Sequence, residues 1–99
     1  MDNKEIKILI NELNYFLKKL EFITDKKNLS SSDYDDIKEI REYRIDNKRG
    51  TPEFILLSLY INELCSELQG YNILEFKSII RGIKKTLEIR NIIIELKEV

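Results

Sequence analysis

The stretch that decides the fold is Asn3-Lys4-Glu5-Ile6-Lys7-Ile8-Leu9-Ile10-Asn11-Glu12-Leu13-Asn14-Tyr15-Phe16-Leu17-Lys18-Lys19-Leu20-Glu21-Phe22-Ile23. Within it Ile6, Leu9, Ile10, Leu13, Phe16, Leu17, Leu20 and Ile23 recur at intervals of three and four, the spacing that lines one face of an α-helix. Asp2 with Glu5 three residues on has the form of a capping box, which sets the expected helix start near Asn3. A helix with one long apolar face has to bury that face, so the rest of the chain must supply its cover.

Outward from this helix the cover is again helical. Thr24 to Ser32 is polar and rich in turn formers, and reads as a loop. Ser32, followed by Asp33, Asp35 and Asp36, offers a hydroxyl cap and negative charge to the positive end of a helix dipole. A second helix is expected from there to about Asn47, with the narrow stripe Tyr34, Ile37, Ile40 and Tyr43 making it the most exposed one. Thr51-Pro52-Glu53 is a specific helix start: a cap, a proline where no N–H is needed, and an acid near the dipole. From Pro52 to Gln69 the apolar residues Phe54, Ile55, Leu56, Leu57, Leu59, Tyr60, Ile61, Leu64, Cys65 and Leu68 cover more than one face, the pattern of a central helix packed on two sides. Gly70 suits the left-handed residue that ends a helix. Asn72 with Glu75 repeats the capping-box spacing and opens a last helix, antiparallel to the third, with core face Ile73, Phe76, Ile79, Ile80, Ile83 and Leu87.

After Leu87 the register changes. Ile89, Ile92, Ile93 and Leu96 form a new stripe displaced by about two residues. Either the helix continues and presents a second apolar face, or it breaks near Glu88 and the Ile-rich end folds back or pairs as a short strand. No strand-rich pattern appears elsewhere, and the expected architecture is one all-α domain over residues 1–99: an antiparallel four-helix bundle with a long C-terminal helix or tail.

Composition narrows the chemistry. Of 99 residues 42% are hydrophobic and 35% charged, which suits a single packed core and not a disordered chain. There is no His and no Trp, and one Cys, so the usual zinc sets and the His-based nucleophile arrangements are excluded. No phosphate-cradling glycine loop surrounds Gly50, Gly70 or Gly82. Asp33, Asp35 and Asp36 lack the glycine and distal glutamate of a calcium loop and read as helix-capping acids. Cys65, between Leu64 and Leu68 on an apolar face, reads as a buried inert thiol. The expectation is a binding protein with no catalytic residue, metal or cofactor.

Seventeen basic against 18 acidic residues give a net charge of -1 and no strong field for nucleic acid. Tyr15, Tyr34, Tyr43, Tyr60 and Tyr71 are scattered and form no base-stacking platform. No apolar run approaches the roughly 18 residues of a membrane helix, and Met1-Asp2-Asn3-Lys4-Glu5 lacks the basic start of a secretory signal, so a cytoplasmic location is expected. Two features remain for function. Lys77, Arg81, Lys84, Lys85 and Arg90 lie largely on the polar side of the last helix, as a solvated face or as a docking stripe for an acidic partner or an anionic inner leaflet. Ile92, Ile93 and Ile94 are consecutive, and one helix cannot hide all three from water, so some of them finish the core or meet a partner.

The assembled pattern resembles the immunity proteins of pediocin-like (class IIa) bacteriocins. The likeness rests on Ile8-Leu9-Ile10-Asn11-Glu12-Leu13, on Thr51-Pro52-Glu53-Phe54-Ile55-Leu56-Leu57-Ser58 running on to Ile61 and Leu64, on the turn Gln69-Gly70-Tyr71-Asn72, and on Ile89-Arg90-Asn91-Ile92. The chain departs from the family's pattern at Glu98-Val99, where an aromatic tail is common in the family. The resemblance implies a left-turning antiparallel four-helix bundle without enzymatic activity, acting at the inner face of the membrane. There it would associate with the mannose phosphotransferase permease once a bacteriocin has engaged it, with specificity in the C-terminal half. On that basis Lys84, Lys85 and Arg90 are the expected polar contacts, and Ile92, Ile93, Ile94 and Leu96 the apolar ones. Two other readings use the same residues. A phage or mobile-element protein that regulates or inhibits a host protein would use the apolar end as a symmetric homodimer seam. A small nucleic-acid regulator would use the stripe from Lys77 to Arg90.

Overall fold

A computed structural model describes residues 3–45, 51–66 and 73–98. They form four helices: α1 (Asn3–Thr24), α2 (Ser31–Glu42), α3 (Pro52–Ser66) and α4 (Ile73–Glu98), with no strand among the described residues. The architecture is the all-α bundle that the periodicity predicts. The expected cap at Asp2, the glycine stop at Gly70 and the cap at Asn72 lie outside the described residues.

The eight apolar residues of α1 that share one face are its eight buried residues, from Ile6 to Ile23. All of them but Ile23 join Ile40, Ile45, Phe54, Ile61, Leu64, Cys65, Phe76, Ile80, Ile83, Leu87 and Ile94 in one cluster that all four helices feed. The centre of the bundle is α1. It packs against each of the other three helices, most extensively against α4, whereas α3 packs mainly on α2 and touches α4 marginally at most. This corrects two expectations, that α3 is the central helix and that α4 pairs with it. The second apolar face of α3, Leu56, Leu59 and Tyr60, is instead left exposed, with no described helix packed over it.

Two antiparallel pairings follow from side-chain contacts. Lys77 near the start of α4 pairs with Asp25 just beyond the end of α1, and Lys84 lies 3.1 Å from Glu21. On the other side of α1, Lys19 reaches Asp36 at 3.0 Å while Glu12, two turns earlier, accepts a hydrogen bond from the Tyr43 hydroxyl.

The start of α2 also differs from expectation. The cap is Ser30, not Ser32. Its side chain accepts from the Asp33 amide at 3.3 Å, and the Asp33 carboxylate accepts from the Ser30 amide at 2.8 Å. That reciprocal box draws Asp33 into the protein, where Lys26 donates to both of its oxygens at 2.9 Å. The Lys26 hydrogen bond, and after it the Ser30 amide, hold the Asp33 carboxyl below the ordinary carboxylate range. The capping role expected of this acid is its structural role.

The end of α2 comes at Glu42, not near Asn47, because Tyr43 turns to extended backbone with φ -62° and ψ 133°. Asn62 of α3 fixes that turn. Its amide donates to the Ile40 carbonyl at 2.6 Å and the Tyr43 carbonyl at 3.0 Å, and its oxygen accepts from Arg44 at 2.7 Å. The Ile40 carbonyl, which also accepts from the Tyr43 amide, and the Tyr43 carbonyl, which also accepts from Arg44, thereby gain a buried second donor. Ile45 then enters the core, which a helix continuing in register would not allow.

Candidate functional site

The open question at Glu88 resolves in favour of one unbroken helix, since α4 runs without interruption from Ile73 to Glu98. In a straight α-helix each residue advances about 100°. A stripe displaced by two residues therefore turns through about 200°, onto the opposite side. Phe76, Ile80, Ile83 and Leu87 face α1 and are buried, and Ile79 is half-buried beside them. Ile89, Ile92, Ile93 and Leu96 face away and remain 51%, 48%, 38% and 70% exposed. Positions i, i+3, i+4 and i+7 place these four side chains side by side over two turns, a contiguous apolar surface on a helix that already has a buried face.

Of the expected contact residues, Ile92, Ile93 and Leu96 are brought together on this surface. Ile94 is not. It is 2% exposed and belongs to the core cluster, because it falls on the face that Leu87 occupies two turns earlier. The consecutive isoleucines thus divide, two outward and one inward. Lys85 is exposed one turn before Ile89 and makes no ion pair or hydrogen bond among the described residues. Lys84 is committed to Glu21 and belongs to the α1–α4 packing. Arg90 is half-buried, and its Nε is enclosed without a hydrogen-bond partner.

No family model, curated protein or solved structure matches this chain. The chemistry of the site therefore stands on its own residues. It offers an apolar surface with exposed Lys85 and Lys97 at its ends and exposed Glu88 and Glu95 along one side. Among the described residues no group of three or more His, Cys, Asp and Glu is placed to hold a metal ion, and no helix is long and apolar enough to cross a membrane. Cys65 is buried, and burial pushes its thiol up to about 12, away from the thiolate that nucleophilic chemistry requires.

Two surface features escaped the sequence reading. The outer face of α3, with Leu56, Leu59 and Tyr60, was expected in the core. Apolar periodicity assigns residues to a face without saying whether anything covers it. The second is a groove of about 310 Å³ on α1 and α2, lined by Tyr15, Lys18, Lys19, Phe22, Ile23 and Asp36. Lys19 stands 4.4 Å from the centre of the Tyr15 ring and is also 3.0 Å from Asp36. The Tyr15 ring beside it, and then Asp36 and Glu39, raise its affinity for its proton against the opposing effect of burial. With its central cation already neutralised by carboxylates, this groove offers little to an anion. Alternating aromatic and basic residues at 15, 18, 19, 22 and 26 were the signal for it in the sequence.

Proposed function

We propose that this chain is an immunity protein against a pediocin-like bacteriocin, which binds the bacteriocin-engaged membrane receptor from the cytosolic side through the outward face of α4. The observation that carries the reading is the exposed stripe Ile89, Ile92, Ile93 and Leu96 with unpaired Lys85 at its head, in the C-terminal half where the resembled family holds its specificity. The residues shared with that family in α1, α3 and the end of α4 support it, as does the four-helix architecture with a long last helix. The receptor on this reading is the mannose phosphotransferase permease. Arg81 and Lys85 would also favour an anionic inner leaflet, where each cation near the surface is worth about 1 kcal/mol. No catalytic group is needed. Protection requires only a higher affinity for the bacteriocin-bound receptor than for the free one.

The test is survival. The chain is expressed inside a sensitive Gram-positive strain, and a panel of pediocin-like bacteriocins is titrated. A raised inhibitory dose for one peptide or a small group is the expected result. Unchanged doses for every peptide, with the protein soluble and folded in the cells, would overturn the reading.

A further inference from the structure

The outer face of α3 has no role in the immunity reading, and its pattern matches the outer face of α4. Leu56, Leu59, Tyr60 and Glu63 occupy positions i, i+3, i+4 and i+7, the same spacing as Ile89, Ile92, Ile93 and Leu96. Both faces are exposed, and since α3 and α4 touch marginally at most, neither covers the other. The charges at their ends are opposite, while exposed Glu88 and Glu95 lie along one flank of the α4 stripe. The described part of α3 carries Glu53 and Glu63, both exposed, and no cation. The α4 stripe has exposed Lys85 before it and exposed Lys97 after it. None of these four charges has an ion pair among the described residues.

We infer that the outer face of α3 binds the outer face of α4 of a second copy of this chain, with the two helices antiparallel. Laid with Leu56 over Ile92 and Ile93, the 1.5 Å rise per residue brings Leu59 and Tyr60 over Ile89. Glu63 then comes level with Lys85, and Glu53 with Glu95 and Leu96, of which Glu95 lies on the opposite flank while Lys97, on the flank of Glu53, stands about one residue further on. Both end pairs fall on matching sides, because in an antiparallel pair the same flank of each helix meets. A parallel arrangement loses this, since Glu63 then lies over Leu96. The symmetric alternatives fare worse. Two α3 faces packed antiparallel set Glu53 against Glu63, and packed parallel they set each glutamate against itself. Two α4 faces packed parallel set Lys85 against Lys85, and packed antiparallel they bring Glu88 of one copy beside Glu95 of the other on the same flank. The contact is therefore heterologous, with each copy offering one face of each kind, and growth continues until rotation closes a ring or the chain ends. One helix face on another lies at the small end of specific interfaces, so the association is micromolar or weaker.

The inference does not rest on the immunity reading, and sedimentation tests it alone. The wild-type chain is centrifuged from about 10 μM to about 1 mM, alongside L56S/L59S, blocked on α3, and I92S/L96S, blocked on α4. All substituted residues are exposed, and circular dichroism checks that each variant keeps its helix content. The wild type is expected to grow in mass with concentration and each variant to stay monomeric. An equimolar mixture of the two variants is expected to form a one-to-one dimer, because each retains the face that the other lacks. E63K is expected to weaken association about fivefold, the size of an exposed charge pair, and E63K/K85E to recover it. A monomeric wild type at the highest concentration would overturn the inference. So would a mixture that stays monomeric, or a variant that dimerises alone, which would mark a symmetric seam.

Discussion

The two halves of α4 are built from the same residue types and make opposite use of them. From Phe76 to Leu87 the apolar side chains point at α1 and are buried or, at Ile79, half-buried, while from Ile89 to Leu96 all but Ile94 point at solvent. Nothing in the backbone separates the halves, because the helix is continuous. A shift of two residues in the apolar pattern is enough. An apolar stripe fixes which residues share a face, but the partner of that face is fixed by what else the chain can bring to it. In the first half α1 is the partner, while the second half leaves a surface for another molecule.

The largest effect that could break this contrast is a core truncation. Leu87→Ala should destabilise the fold by about 2–5 kcal/mol, whereas Ile92→Ala should stay within about 0.5 kcal/mol of wild type. Urea unfolding of both variants reads the difference, and equal losses would place both halves in the core.

The contrast sharpens when α2 is set beside α4, because α2 buries only Ile40 among its apolar residues and is held by polar groups instead. Asn62→Ala removes the donors to the Ile40 and Tyr43 carbonyls and the acceptor for Arg44, and should cost about 1–3 kcal/mol in the same assay. Asp33 gives a pH signature at the other end of α2. Its folded carboxyl is held below its unfolded value of about 3.9, so its contribution is present above that pH and is lost as pH falls through the lower folded value. Asp33→Asn should therefore be less stable than wild type at pH 7, with the gap closing toward pH 2 in urea midpoints.

A smaller effect of opposite sign tests the outward face of α4 itself. Gly82 is exposed in mid-helix, and a Cβ added there meets nothing within 4 Å. Gly82→Ala should stabilise the protein by about 0.5–1 kcal/mol, and destabilisation would mean that the face is covered.

Most of the fold was legible in the sequence, because α1 carries an unambiguous one-faced pattern and Pro52-Glu53 marks the start of α3, although the Thr51 hydroxyl expected to cap it is enclosed without a hydrogen-bond partner. What was not legible came from long-range contacts. The end of α2 at Glu42 depends on Asn62, nineteen residues beyond Tyr43, and no local signal at Asn47 competes with that pin. The cap at Ser30 was hidden among three consecutive serines, and only the reciprocal bond with Asp33 selects it. Of the site, the outward stripe was readable as a change of register. The inward turn of Ile94 followed only once α4 proved unbroken, and the exposure of Leu56, Leu59 and Tyr60 depends on α4 packing against α1 instead of α3.

What most needs deciding is whether the second apolar stripe of α4 is a contact surface and not core. The triple variant I92S/I93S/L96S tests it most directly when urea unfolding and bacteriocin survival are measured on the same protein. The expected result is a helical, cooperatively unfolding domain close to wild-type stability that no longer protects the cell. Loss of the fold would return these residues to the core, and full protection by a folded variant would move the contact elsewhere.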